Sequence, residues 1–270
     1  MNSIDQILGE IKKQNSRYSS NIWIPSLKRD VKFVDINTSQ QKRIIKSILD
    51  STIYEIEFAT TLRDILKENC IEDINIDDLT VIDQVYIAIT LRASCVGVMV
   101  PTEVKVSDTE KVNVDINLED VLKLAKDTIL TIDSKTFSDK VFEVVCGVPS
   151  ISTAISVQKD LQSVVPKELN ADSENEIKAL FGDAFVHEIV KYIKSITILE
   201  SEVKIPWNDL SNPDKIKIVE TINIKTLKQI LDYAEYVRQE ANKIELVNFK
   251  YGEKVYSKRL SIDADFFIGS

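Results

Sequence analysis

The chain has 270 residues, enough for one large or two small domains with a sizeable core. Hydrophobic residues make up 44% and charged residues 29%, a balance that fits a folded globular protein and excludes a disordered one. Acids outnumber bases 43 to 34, for a net charge of −9, and no basic block offers nucleic acid a face to coat.

The opening MNSIDQILGEIKKQ places Ile4, Ile7, Leu8 and Ile11 at helical spacing. It carries acids among its apolar residues and lacks a signal-peptide core. No apolar run approaches the roughly 18–20 residues a bilayer span needs, so no membrane anchor is expected. A helix of about three turns is marginal alone. It docks either on its own domain or in a partner's groove, and both alternatives stand at this point.

IWIPSLKRDVKFVDIN then predicts two short strands, Ile22–Ile24 and Val31–Ile36, around a turn. Thr38 is the expected N-cap of the helix SQQKRIIKSILD, and Thr52 that of STIYEIEFATTLRDILKENC. Asp77 or Asp78 is expected to cap the next helix, which runs through VIDQVYIAITLRASC to about Cys95 and ends at Gly97. Residues 103–116, EVKVSDTEKVNVDI, alternate on both sides of SDTE and predict a β-hairpin, followed by the helix LEDVLKLAKD. KVFEVVCGV reads as a buried strand, and PSISTAISVQKDL as a turn leading to a helix or an extended segment. Three periodic runs, ENEIKALFGDAFVHEIVKYIKSI, PWNDLSNPDKIKIVETI and IKTLKQILDYAEYVRQEAN, predict helices, and the tail reads as a second hairpin around Tyr251–Gly252.

The fold class is therefore α+β, mostly helical with small antiparallel hairpins and sheets. The polar stretch PKELNADSEN marks a boundary near 165–175. The expected organisation is an N-terminal amphipathic helix and linker at 1–20, an α+β domain at 21–168, and a helical region at 169–270 that ends in a hairpin. No internal repeat or low-complexity tract occurs.

Candidate chemistry is sparse. Six glycines, none close to another, cannot build a phosphate-cradling loop. His187 is the sole histidine, which excludes two-histidine metal sites, and a helical histidine of this kind reads as a boundary residue. Cys70, Cys95 and Cys146 are widely spaced with no CxxC, so neither a zinc ribbon nor a redox pair is available, and a reducing cytoplasm is the expected place of synthesis. EDINIDDLT resembles a calcium loop only superficially. Counted from Asp73, the sixth position is Asp78 instead of glycine and the twelfth is Gln84 instead of glutamate. Cys95 falls at the C-terminal end of its helix, where the dipole disfavours a thiolate. It reads as a small apolar filler, with Arg92 as a C-terminal cap or partner contact. A carboxylate enzyme built on Glu55, Glu57 and Arg63 is the remaining catalytic reading, and a poor one, because residues two apart on a helix point to different faces.

A strand with IP, the alternating VKFVDI, the helices SQQKRIIKSILD and FATTLRDILKENC, and LTVIDQVYIAITLRASCVG before a hairpin resemble the baseplate hub subunit and hub-assembly family of contractile-tailed bacteriophages. The later KIPWNDLSNPDKIKIVETINIKTLKQILDYAEYV and the closing IDADFF are similar to that family's C-terminal part. The resemblance covers about residues 22–116 and 176–267. It implies a tail protein made in the host cytoplasm that builds the baseplate hub, either as a component of the virion or as an assembly chaperone that is not retained. It implies contacts with hub or tape-measure proteins and no cofactor. No catalytic residue carries over. Some family members place cysteine pairs in the hairpin, but EVKVSDTEKVNVDI has none, so no zinc is implied. The expected contact residues are Ile4, Ile7, Leu8 and Ile11 in the opening helix, with Phe266 and Phe267 in the tail. For the two phenylalanines, closure of their own core is the equal alternative.

Overall fold

The computed structural model describes residues 4, 6, 7, 9–11, 19–49, 54–107, 110–129, 132–164, 184–262 and 264–268. They form the α+β fold expected, with helices dominant and every sheet small and antiparallel. Two units divide the chain: Met1–Leu130 with Asn242–Ser270, and Thr131–Ala241.

In the first unit, β1 (Ser19–Ile24) and β2 (Arg29–Val34) pair antiparallel, with Ile24 opposite Arg29. Alternation buries Ile22, Ile24, Val31 and Phe33 on one face. α1 (Thr38–Leu49) is capped one residue earlier than expected, by Asn37 instead of Thr38. The Asn37 side-chain oxygen accepts the Gln40 N–H at 3.0 Å, and the Gln40 side-chain oxygen accepts the Asn37 N–H at 3.2 Å. A reciprocal pair three residues apart satisfies two orphan donors where a lone threonine would satisfy one. α2 (Tyr54–Asn69) follows, and the expected cap Thr52 lies outside the described residues.

Neither Asp77 nor Asp78 caps α3 (Val81–Cys95). Both fall in a 3-10 turn, Ile76–Asp78, and Thr80 takes the capping position. Its hydroxyl accepts the Asp83 N–H, and the Asp83 carboxylate accepts the Thr80 N–H in return at 2.6 Å. Asp83, fully buried, also accepts the Ser26 N–H at 2.8 Å, which ties the start of α3 to the β1–β2 turn. Ile82, Tyr86, Ile87, Ala88, Ile89 and Leu91 are all buried, so α3 is enclosed nearly all round, as its composition predicts. β3 (Met99–Lys105) and β4 (Lys111–Asn117) make a hairpin longer than residues 103–116, and α4 (Leu118–Ile129) follows.

The second unit holds β5 (Lys135–Ser138), β6 (Phe142–Cys146), α5 (Ile151–Val164), α6 (residues 184–192), β7 (Ile193–Ile198), β8 (Val203–Ile205), α7 (Asn212–Val219) and most of α8 (Ile224–Glu245). The strands form one antiparallel sheet in the order β5-β6-β7-β8. Here the expected helical run through KYIKSI is cut short, because Ile193–Ile198 pairs with β6. Four of its six residues are β-branched, and such side chains sit better on a pleated surface than in another helical turn. The expected PWNDLSNPDKIKIVETI helix also shortens to α7. Ser211 caps it by accepting the Asp214 N–H, and Pro213 lies in its first turn. Val144, Cys146, Ile189, Val190, Ile196, Ile230, Tyr233 and Ala234 form the core of this unit.

The chain returns to the first unit through β9 (Leu246–Tyr251), β10 (Lys254–Arg259) and α9 (Ala264–Ile268). The β9–β10 turn is the expected one, with Gly252 at φ 61, a left-handed conformation that glycine adopts without steric cost. α9 packs on α1.

Candidate functional site

All three thiols are held above their ordinary pKa, with loss of solvent the largest cause. Cys146 is fully buried, and loss of solvent pushes its thiol up to about 12. Cys70 donates to the Glu72 carbonyl at 3.3 Å, and burial raises its pKa as well. Cys95 is exposed beside Ser94 and is not the apolar filler expected, because the last turn of α3 faces outward. Protein packed near its sulfur is still the largest influence and holds the thiol above its usual value. His187 is buried within α6, and the Arg63 guanidinium is held by Asp64 at 2.8 Å. Among the described residues no group of histidine, cysteine and carboxylate side chains is arranged to hold a metal ion.

A raised thiol pKa carries a sign. The folded state keeps Cys146 protonated to about 12, whereas the unfolded thiol ionises near 9. Its contribution is therefore fully present below the unfolded value and is lost as pH rises through the folded one. Stability falls in that window by about 1.4 kcal/mol per pH unit for this group. Urea unfolding from pH 8 to 11 checks this, and Cys146→Ala flattens the slope.

Arg92 is the best-organised polar centre of the first unit. It is buried at 2% exposure near the end of α3. Its guanidinium donates to the carbonyls of Phe266 and Gly97, and to Met99 at 3.3 Å, and it lies 5.7 Å from the centre of the Phe266 ring. The residue closes its own helix, as expected, and also binds the tail. Phe266 and Phe267 are buried at 3% and 0%, so the structure takes the core-closing alternative and leaves neither ring on the surface. Ile4, Ile7 and Ile11 are 60%, 58% and 48% exposed, an apolar helical face in contact with solvent, while Leu8 lies outside the described residues.

A second surface feature had no sequence signature strong enough to single it out. Val100, Pro101, Thr102 and Glu103 of β3 face Lys258, Arg259, Leu260 and Ser261 across a groove, with Arg92 and Phe266 at its end. The groove encloses about 240 Å³, room for one or two side chains at its closed end. The two hairpins on either side form separate two-stranded sheets. The Tyr251 hydroxyl bonds the Glu110 carboxylate at 2.8 Å and joins them near their turns.

A family model described as T4 bacteriophage base plate protein matches residues 16–267. The chain belongs to that family. No curated protein matches this baseplate-family chain, and no solved structure does. Membership gives it a structural role in the phage tail baseplate, among other tail proteins. No helix among the described residues is long and apolar enough to cross a membrane. The match begins past Ile4, Ile7 and Ile11, so the exposed apolar face belongs to a segment outside the shared family pattern.

Proposed function

We propose that this chain builds the baseplate hub through protein–protein contacts, without catalysis, and that the N-terminal helix is one of its contact surfaces. The family match over residues 16–267 supports the baseplate part of this reading. The exposure of Ile4, Ile7 and Ile11 supports the choice of surface, since an unpartnered apolar stripe loses solvent contact when a groove receives it. The burial of Phe266 and Phe267 within their own unit supports leaving them out of this contact surface.

Two versions of the role differ in where the protein ends up. A hub component stays in the particle, and an assembly chaperone leaves before completion. Quantitative mass spectrometry of purified particles, combined with a variant lacking residues 1–14, tests the proposal. Stoichiometric copies in particles support the component, and recovery only from assembly intermediates supports the chaperone. In either case the truncated variant is expected to co-purify at least about tenfold less with tail proteins from infected cells. Its melting temperature is expected to stay within about 2 °C of the intact chain. Undiminished co-purification removes the N-terminal helix from the mechanism, and loss of folding returns that helix to the core.

A further inference from the structure

The strand β10, whose Lys258 and Arg259 line the groove, has an open main-chain edge that runs on beyond it. The bond from Leu260 N–H to the Glu245 carbonyl fixes the pairing parity of β9 and β10. By that parity, alternate residues Lys254, Tyr256 and Lys258 bond to β9, and the N–H and C=O groups of Val255, Ser257 and Arg259 point away from it. Among the described residues those outward N–H groups have no partner. Val255 is 62% exposed, and both Ser257 and Arg259 are exposed.

The opposite wall is closed to such pairing. Bonds from Leu118 to Val98 and from Val106 to Glu110 set the parity of β3, so Met99, Pro101 and Glu103 turn outward. The Met99 carbonyl is already taken by Arg92, and Pro101 has no N–H to give. Proline on an edge is a device against unwanted pairing, and β3 has it where β10 does not.

Charge selects the occupant. In a chain of net charge −9, the segment from Leu246 to Leu260 carries Lys250, Lys254, Lys258 and Arg259 against Glu253 alone. Glu103 on the far wall is neutralised by Lys111 at 2.6 Å, and Arg259 is paired with Glu245 at 2.6 Å. Lys258 has no acidic partner among the described residues, and Arg92 is held by carbonyls without a carboxylate. The groove is therefore positive. A second copy pairing edge to edge would bring another strand carrying Lys254, Lys258 and Arg259 alongside the first and concentrate positive charge at the ladder. A segment bearing carboxylates meets these side chains with opposite charge.

We propose that the outer edge of β10 receives an extended acidic segment of a partner protein, which adds there as a strand and passes the groove at Lys258 and Arg259. Main-chain bonds to Val255, Ser257 and Arg259 would supply affinity, and Lys258 would select for carboxylates. This deepens the contact role proposed above and rests on it only for the occupant's being a protein.

The test is amide hydrogen exchange, read by NMR on the full chain, with a synthetic peptide of about eight residues alternating valine and glutamate as the probe. The peptide is expected to slow exchange at Val255, Ser257 and Arg259 by about tenfold or more. A peptide with lysine in place of glutamate is expected to leave those amides unchanged. Lys258→Glu, a surface substitution, is expected to abolish protection by the acidic peptide while leaving the melting temperature in place. Absence of protection at millimolar acidic peptide overturns the proposal, and so does equal protection by both peptides. Protection that appears with rising concentration of the chain alone assigns the edge to a second copy and likewise overturns it. The particle measurement stands or falls separately from any of these results.

Discussion

Replacing Arg92 by methionine is expected to destabilise the first unit by about 3–5 kcal/mol, because it strips charged donors from one buried and two part-buried carbonyls. The side chain at 2% exposure bonds the carbonyls of Phe266, Gly97 and Met99, which belong to the tail, the end of α3 and the start of β3. Methionine fills similar volume and leaves those acceptors without their donors. The loss is a large part of a typical total of about 5–15 kcal/mol, so unfolding at moderate urea should be plain in the circular dichroism midpoint. Arg92→Lys recovers less than about half of it, since a single ammonium cannot fork to acceptors on three segments. A midpoint change worth under about 1 kcal/mol would show that water replaces the guanidinium and that the tail is held by other means.

Phe267→Ala is expected to cost about 3–5 kcal/mol, the range for a large aromatic removed from a packed core. The ring is fully buried, 5.2 Å from Phe266 in an edge-on arrangement and 6.2 Å from Phe58. Its carbonyl accepts the Gln41 side-chain N–H at 2.6 Å, which fastens α9 to α1. The same substitution separates the two readings the sequence leaves open for the closing IDADFF. A docking residue would lose partner affinity and keep its melting transition, whereas a core residue loses the transition first. Differential scanning calorimetry of the purified variant decides, and an unchanged melting temperature would sink the core assignment.

What could be read from the residues depended on how local the deciding interaction is. The α+β class, the enclosed α3, both hairpins and the end of α3 near Gly97 follow from periodicity and turn residues within one stretch. The observed caps lie one to three residues from the expected ones, because serine, threonine, asparagine and aspartate are near-equal cap residues and the reciprocal partner decides among them. Asn37 with Gln40 and Thr80 with Asp83 supply that partner. The apolar spacing of Ile193–Ile198 suits either period and predicts a helix, whereas its pairing with β6, far away in sequence, makes it a strand. Of the expected contact residues, Ile4, Ile7 and Ile11 are exposed in the structure and Phe266 and Phe267 are buried. No local pattern tells a terminal aromatic that docks outside from one that folds back. The groove was illegible for the same reason, since it is defined by two hairpins more than a hundred residues apart. Only the lysines of KYGEKVYSKR, set in an acidic chain, hinted at it.

The first unit is assembled from Met1–Leu130 and Asn242–Ser270, with the whole of Thr131–Ala241 between them. Translation therefore delivers the intervening unit complete while the other unit still lacks Phe266, Phe267 and one of the three carbonyls that Arg92 binds. Nascent chains arrested before residue 242 should already resist protease across 132–164 and 184–241, and should leave Phe58 and Ile44 open to attack. The order of synthesis thus makes the later-made segment the clasp for the earlier-made one, and a ribosome that stops between them releases a product with an unsealed apolar interior.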